Sequence, residues 1–232
     1  MRILHSVFFY ALTVVSFFLG TLFTLCFVPI AKDKTALFQA AARRWARFLA
    51  FFTGVKITTA GIENIPRDKA VIFASNHQGA ADILILLAYL PVPFRFAIKK
   101  ELFRIPFFGW YLKQAGFFSV DRKQMMSAYR SLEAMVEILK QGDSVLIFPE
   151  GTRTKTGELG PFKRGSLLAA LKSGAPIVPL AISGSFNIMP SGSYLISPCP
   201  VKFSAGQPIY ITSEADYENK VEEVRAAIAR LL

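Results

Sequence analysis

From Ile3 to Ala31 the chain carries no Lys, Arg, Asp or Glu. An uncharged apolar run of that length exceeds the roughly 20 residues a bilayer-spanning helix needs and the about 7–15 residues of a secretory signal core. No small-residue cleavage site follows it. Lys32, Asp33 and Lys34 come next, then Arg43, Arg44 and Arg47 on a second apolar stretch that ends near Phe52. Basic residues at this flank mark its cytoplasmic side. Two arrangements satisfy the pattern: a single span over about 3–28, or two helices broken near Pro29 that lie within one leaflet. The stretch from Ala36 to Phe52 sets its arginines toward one side and leaves Phe38, Trp45, Phe48, Leu49 and Phe52 for lipid, an interfacial amphipathic pattern.

Composition agrees with a membrane protein. The hydrophobic fraction is 53% with 22 Phe, and the mean hydropathy is +0.39, both high for a soluble chain of 232 residues. That length fits one domain or two small ones. A formal charge of +11 implies an anionic partner. No helix-turn-helix, zinc or RNA-recognition signature accompanies the charge, so nucleic acid is not expected, and an anionic leaflet accounts for it more simply. Cys26 lies in the apolar run and Cys199 between Pro198 and Pro200, which gives neither a disulfide framework nor a metal site.

Beyond Gly54 the pattern changes to short β-branched or aromatic runs alternating with helical ones, an α/β signature. The expected strands are 55–59, 70–75, 94–98, 116–120, 144–148, 177–182 and 201–204. The expected helices are 80–89, 109–114, 125–141, 165–173 and 214–231. In the third helix Met125, Ala128, Tyr129, Leu132, Met135, Val136 and Leu139 recur at helical spacing, a core stripe stopped by Gly142. Residues 1–53 are thus expected to be membrane-attachment helices and residues 54–232 an α/β domain that keeps its sheet without them. The segment from Leu102 to Leu112 is apolar enough to be either core or a surface dipping into the bilayer.

Two segments carry chemistry. The run Ser75-Asn76-His77-Gln78-Gly79-Ala80-Ala81-Asp82 follows a strand and precedes an apolar helix. Residues five apart on one helix stand about 140° apart, so His77 and Asp82 can meet only if His77 sits in the loop and Asp82 in the first turns. A carboxylate on one ring nitrogen fixes the tautomer and leaves the other nitrogen as a general base for a hydroxyl. The alternative is a loop histidine that merely caps a helix. The second segment, Phe148-Pro149-Glu150-Gly151-Thr152-Arg153-Thr154, also leaves a strand, with Lys155, Lys163 and Arg164 close behind. Gly151 permits close backbone approach, the threonines offer hydroxyls and Arg153 a fork suited to phosphate. Lys99, Lys100 and Arg122 end two further strands, so one shared site at a sheet edge is expected.

Four segments in order, Asn76-His77 through Asp82, Gly116 through Arg122, Phe148 through Arg153, and Ile177 through Ile182, resemble the motifs of the 1-acyl-sn-glycerol-3-phosphate acyltransferases of the glycerolipid acyltransferase family. The resemblance covers roughly 55–209. It implies a mixed sheet flanked by helices behind an N-terminal apolar membrane-associated segment. It also implies a His77–Asp82 dyad that deprotonates the acceptor's 2-hydroxyl for direct attack on a thioester, with no acyl-enzyme, cofactor or metal. Implied substrate contacts are Asn76, Lys99, Arg122, Glu150, Gly151, Thr152 and Arg153. Glu150 is the least natural of these, since a carboxylate repels phosphate and better suits positioning the loop or Arg153. Implied partners are acyl-ACP or acyl-CoA as donor, lysophosphatidic acid as acceptor and membrane lipids. The implied location is the membrane, the inner membrane for a bacterial member, with the site at its cytoplasmic face and a monotopic N-terminus. The motifs leave open another acceptor, such as a lysophospholipid with a head group, a lyso-ornithine lipid or glycerol 3-phosphate, and also a silent lipid-binding protein of the same fold. One departure stands out: members commonly carry Ser two residues after the histidine, where this chain has Gly79.

Overall fold

The computed structural model describes residues 2–120, 125–190 and 192–232. The uncharged run folds as one helix, α1 (Arg2–Leu25), which stops where Val28–Ile30 tighten into a 3-10 turn around Pro29. By length and composition α1 could cross a membrane. The second helix, α2 (Lys34–Phe52), begins where the Asp33 carboxylate accepts the Ala36 N–H at 3.0 Å. It folds back on α1: the Trp45 indole donates to Ser16 Oγ at 3.0 Å, and its ring meets Phe17 edge-on. The N-terminal run therefore breaks near Pro29 into two helices.

There follow β1 (Ile57–Ala60), β2 (Ile72–Ser75), α3 (Ala81–Tyr89), β3 (Phe94–Lys99), α4 (Phe108–Gln114), β4 (Phe118–Val120), α5 (Met125–Lys140), β5 (Ser144–Ile147), α6 (Leu168–Ser173), β6 (Ile177–Ser183), α7 (Ser185–Ile188), β7 (Val201–Ala205) and α8 (Tyr217–Leu231). Each expected strand appears within two residues of its expected ends. The short α7 was not anticipated. The strands form one sheet in the order β1-β7-β6-β2-β5-β3-β4, parallel throughout except where β7 runs antiparallel to β6. The carboxyl ends of β2, β3, β4, β5 and β6 consequently share one edge.

Alternation along the central strands divides the interior in two. Phe73 of β2, Leu146 of β5 and Val178, Leu180 and Ile182 of β6 point to the face covered by α2, α3 and α4. Ile72 and Ala74, Val145, and Ile177 and Ala181 point to the face covered by α5, α6 and α8. Burial on both faces is why these strands read as unbroken apolar runs. On α5, Leu139 is buried and Leu132, Met135 and Val136 pack beside it, but Tyr129 lies outside the stripe, its ring under the Lys172 ammonium. The side chains of Met125 and Ala128 fall outside the described residues.

The α2 helix corrects one expectation. Phe38 and Leu49, expected to face lipid, are buried in the sheet-facing core together with Ala42 and Ala46. The arginines do not simply face water either. Arg43 donates to the Pro91 carbonyl at 3.0 Å and Arg47 to the Ala88 carbonyl at 2.8 Å, which satisfies acceptors at the C-terminal end of α3. Gln39 donates to Ala115 O, and the Tyr111 hydroxyl, pushed up in pKa by burial, donates to Phe38 O. Amphipathic spacing predicted a second environment for the apolar face, and a protein core offered one as suitable as lipid. The segment from Leu102 to Leu112 divides likewise: Tyr111 and Leu112 are buried, whereas Leu102, Ile105 and Trp110 are exposed.

Because α2 is core, a chain beginning at Gly54 is expected to lose its sheet rather than merely leave the membrane. Leu49→Ala is expected to cost about 2–5 kcal/mol, and Phe51→Ala, at an 80% exposed site, less than about 0.5. Unfolding in detergent compares the two, and equal effects would remove α2 from the core.

Candidate active site

The site is built at the carboxyl end of β2. Strand pairing with β6 runs to Ser75, and Asn76 extends it with its side chain. Its amide donates to the Ile182 carbonyl at 2.9 Å and accepts the Ile182 N–H at 2.8 Å. A carboxamide has the donor and acceptor pattern of a peptide group, so it substitutes for one more rung of the ladder. Asn76 is buried and each polar atom of its amide has a backbone partner, so it anchors the loop that carries His77.

Residues 76–79 are irregular and α3 begins at Ala81, the arrangement the His–Asp spacing demanded. His77 Nδ1 lies 2.7 Å from Asp82 Oδ2. The same oxygen accepts the backbone N–H groups of Gln78 at 2.7 Å and Gly79 at 2.9 Å. Asp82 is fully buried, whereas the His77 side chain is 13% exposed. Near the helix start, the carboxylate also sits favourably toward the helix dipole. With Nδ1 committed to Asp82, Nε2 is the nitrogen free to take a proton from outside. The imidazole stacks on Phe148, with centroids 3.9 Å apart and planes 16° apart, which fixes the ring plane.

Gly79 is explained by its neighbours. A Cβ there would stand 3.1 Å from the carbonyl oxygens of both Met189 and Ser185, tighter than an ordinary contact. Helix α3 accordingly has no side-chain cap. Its loop is held instead by Gln78, which donates to Gly157 O at 2.9 Å and accepts from Ser185 Oγ at 3.3 Å.

The loop after β5 closes on His77 from the other side. Glu150 Oε1 accepts the His77 N–H at 2.8 Å and Oε2 accepts the Gly160 N–H at 2.8 Å, while the Thr154 N–H donates to the His77 carbonyl at 2.9 Å. Both backbone groups of His77 are thus held by this loop. Glu150 is buried with its two oxygens engaged, an arrangement that suits the positioning role its charge suggested. Gly151 turns at φ 72° beneath Lys163, and a Cβ would stand only 2.5 Å from Lys163 Cε. Thr152 and Arg153 are exposed, and among the described residues their side chains make no hydrogen bond or ion pair. Lys99 ends β3 at the same edge, exposed, 3.9 Å from Glu101. Arg122 lies outside the described residues.

The structure therefore brings His77, Asp82, Gly151, Thr152 and Arg153 together and sets Lys99 on the same edge. Sequence reasoning gave no role to Phe148, Gln78 or Ser185. Phe148 begins a recognised motif and could have been suspected, but nothing local joins Ser185 to Gln78. In chemical terms the site offers one imidazole oriented by a buried carboxylate, with an exposed cation on the loop that holds its backbone, an arrangement able to deprotonate a hydroxyl on an anionic substrate.

Residues 56–183 match the profile of a family described as Acyltransferase. The 1-acyl-sn-glycerol-3-phosphate acyltransferase BAT2, chloroplastic, of Brassica napus is 37% identical over 189 residues, covering 78% of this chain and 54% of that protein. A 1-acyl-sn-glycerol-3-phosphate acyltransferase of Pseudomonas aeruginosa is 34% identical over 183 residues, covering 77% of this chain and 70% of that one. The chain spans about half the length of the plant relatives it matches from Brassica napus and Arabidopsis thaliana, among others. The crystal structure of the 1-acyl-sn-glycerophosphate (LPA) acyltransferase PlsC from Thermotoga maritima aligns with a TM-score of 0.82 at 27% identity, over 99% of this chain and 97% of that one. Profile, relatives and whole-chain structural likeness converge with the His–Asp geometry on one conclusion: the chain belongs to the acyltransferase family.

Proposed function

We propose that the chain transfers a fatty acyl group from an acyl-ACP or acyl-CoA thioester to the sn-2 hydroxyl of 1-acyl-sn-glycerol 3-phosphate, giving phosphatidic acid. The observation that carries this reading is the 2.7 Å contact between His77 Nδ1 and the buried Asp82, which leaves Nε2 to serve as base. His77 takes the hydroxyl proton as the acceptor oxygen attacks the thioester carbonyl. Collapse of the tetrahedral intermediate breaks the carbon–sulfur bond, and His77 returns the proton to the departing thiolate. Asp82 stabilises the imidazolium between these steps. Arg153, Thr152 and the Gly151 backbone receive the acceptor phosphate, with Lys99 of the same edge and the motif residue Arg122 as further cations. Asn76 and Glu150 serve by placing His77.

The chain sits in one leaflet with the site at the cytoplasmic face, the inner membrane if it is bacterial. Ser6, Phe9, Thr21 and Thr24 of α1 are buried against the protein, while Ile3, Leu4, Val7, Leu19 and Leu22 are exposed. A helix docked along its length cannot cross a bilayer without drawing its charged domain in, whereas one lying in the interface keeps both contacts.

Acyl transfer measured with lysophosphatidic acid, head-group lysophospholipids and glycerol 3-phosphate, each with both donors, tests the acceptor and donor. His77→Ala is expected to lose about 10²–10⁴ in rate with its circular dichroism intact. Near-normal turnover would take the dyad out of the mechanism. Arg153→Ala should raise KM for lysophosphatidic acid and leave a phosphate-free acceptor unaffected, because a phosphate contact exists in ground and transition states alike. For Glu150→Gln, which turns an NH₂ toward one of two backbone N–H groups, kcat should fall with KM nearly unchanged. A rise in KM alone would return Glu150 to the phosphate site.

A further inference from the structure

The chain contains a second stretch without Lys, Arg, Asp or Glu, from Ser173 to Val201, as long as the N-terminal one. Its first part is explained by β6, buried on both faces. The remainder is the connection from β6 to β7, and there burial explains less. Tyr194 is 83% exposed and Leu195 44% exposed. A connection facing water ordinarily carries charge, all the more so in a chain with 27 Lys and Arg and 16 Asp and Glu.

The backbone under these two residues is tied to α1. The Tyr10 hydroxyl donates to the Tyr194 carbonyl at 2.8 Å, and the Ile196 N–H donates to Ser6 Oγ at 2.8 Å. The exposed pair thus lies on the side of α1 that carries the exposed apolar positions Ile3 and Val7. Tyrosine, with an apolar ring and a polar tip, suits the headgroup level of a bilayer. The connection also leaves β6 at the edge that bears His77, because β6 is parallel to β2. Its Ser185 and Met189 carbonyls back directly onto Gly79.

We propose that the β6–β7 connection is a second membrane contact: Tyr194 and Leu195 seat in the lipid surface beside α1 and hold the catalytic edge of the sheet against the leaflet. The proposal rests on the reading of α1 as an in-plane helix. Lipid is the occupant because the pair continues the apolar surface of α1 and its connection carries no charge. With the N-terminal helices as the only attachment the domain could tilt about them, and the further contact fixes the height of His77 relative to an acceptor whose chain stays in the bilayer.

The test uses the full chain in vesicles of phosphatidylethanolamine and phosphatidylglycerol. In a Cys26→Ala, Cys199→Ala background, a fluorophore is placed by Tyr194→Cys or, for reference, Leu4→Cys, and quenched by nitroxide-labelled lipid. Quenching at both positions is expected. Quenching at position 4 without quenching at 194 overturns the proposal and leaves the α1 reading standing, whereas quenching at neither overturns both. Tyr194→Ser with Leu195→Ser should lower turnover of bilayer-borne lysophosphatidic acid about tenfold, leaving a short-chain monomeric acceptor and the unfolding midpoint unchanged. Tyr194→Trp should retain the parent rate. Equal losses on both acceptors would show the segment to be structural and sink the idea.

Discussion

A single buried carboxylate joins the two loops on which the chemistry rests. Glu150 accepts the His77 N–H with one oxygen and the Gly160 N–H with the other. Burying an anion without donors is costly, so the carboxylate and the two loops stabilise one another. Thr154 adds a bond to the His77 carbonyl, and the histidine backbone is then fixed at both polar atoms before its ring meets Asp82. The side chain inherits that order: Nδ1 on Asp82 and one ring face on Phe148. Little freedom remains to be lost when a substrate binds, which is how preorganisation lowers a barrier.

The parallel pairing of β2, β3, β4, β5 and β6 brings these loops to one edge. Because the sheet is covered on both faces, its edge is the place where loops of different strands can converge on a ligand. Asn76 shows how closely the loop is tied to the sheet, since its amide pairs with Ile182 as a further peptide would. Gly151 belongs to the same arrangement: the Lys163 stem occupies the space a side chain would fill.

The two helical layers differ in what they face. The layer of α1 and α2 buries Phe38, Ala46 and Leu49 inward yet leaves Val14, Val15, Phe18, Phe51 and Phe52 outward. The layer of α5, α6 and α8 carries surface ion pairs such as Lys220–Glu223 and Arg225–Glu222, each worth little in energy but indicating a watery surface. The proposed transfer, from a donor arriving in water to an acceptor held in lipid, suits a molecule of this asymmetry.

All seven strands, the main helices and the His77–Asp82 relation were legible in the sequence, because each is a matter of local spacing: apolar period, glycine punctuation, and the reach between a loop and a first helical turn. Two things were not. Amphipathic spacing reports that a face is apolar without reporting whether protein or lipid covers it, so Phe38 and Leu49 read as lipid-facing although they are core. Motif position likewise reports that a residue matters without reporting to whom its polar atoms are given, and those of Asn76 and Glu150 pair with backbone groups of Ile182, His77 and Gly160. Local spacing alone sets the order of elements and the pairing of His77 with Asp82. Only the tertiary structure decided which apolar faces are core and which polar atoms are already spent, because those depend on partners tens of residues away in the chain.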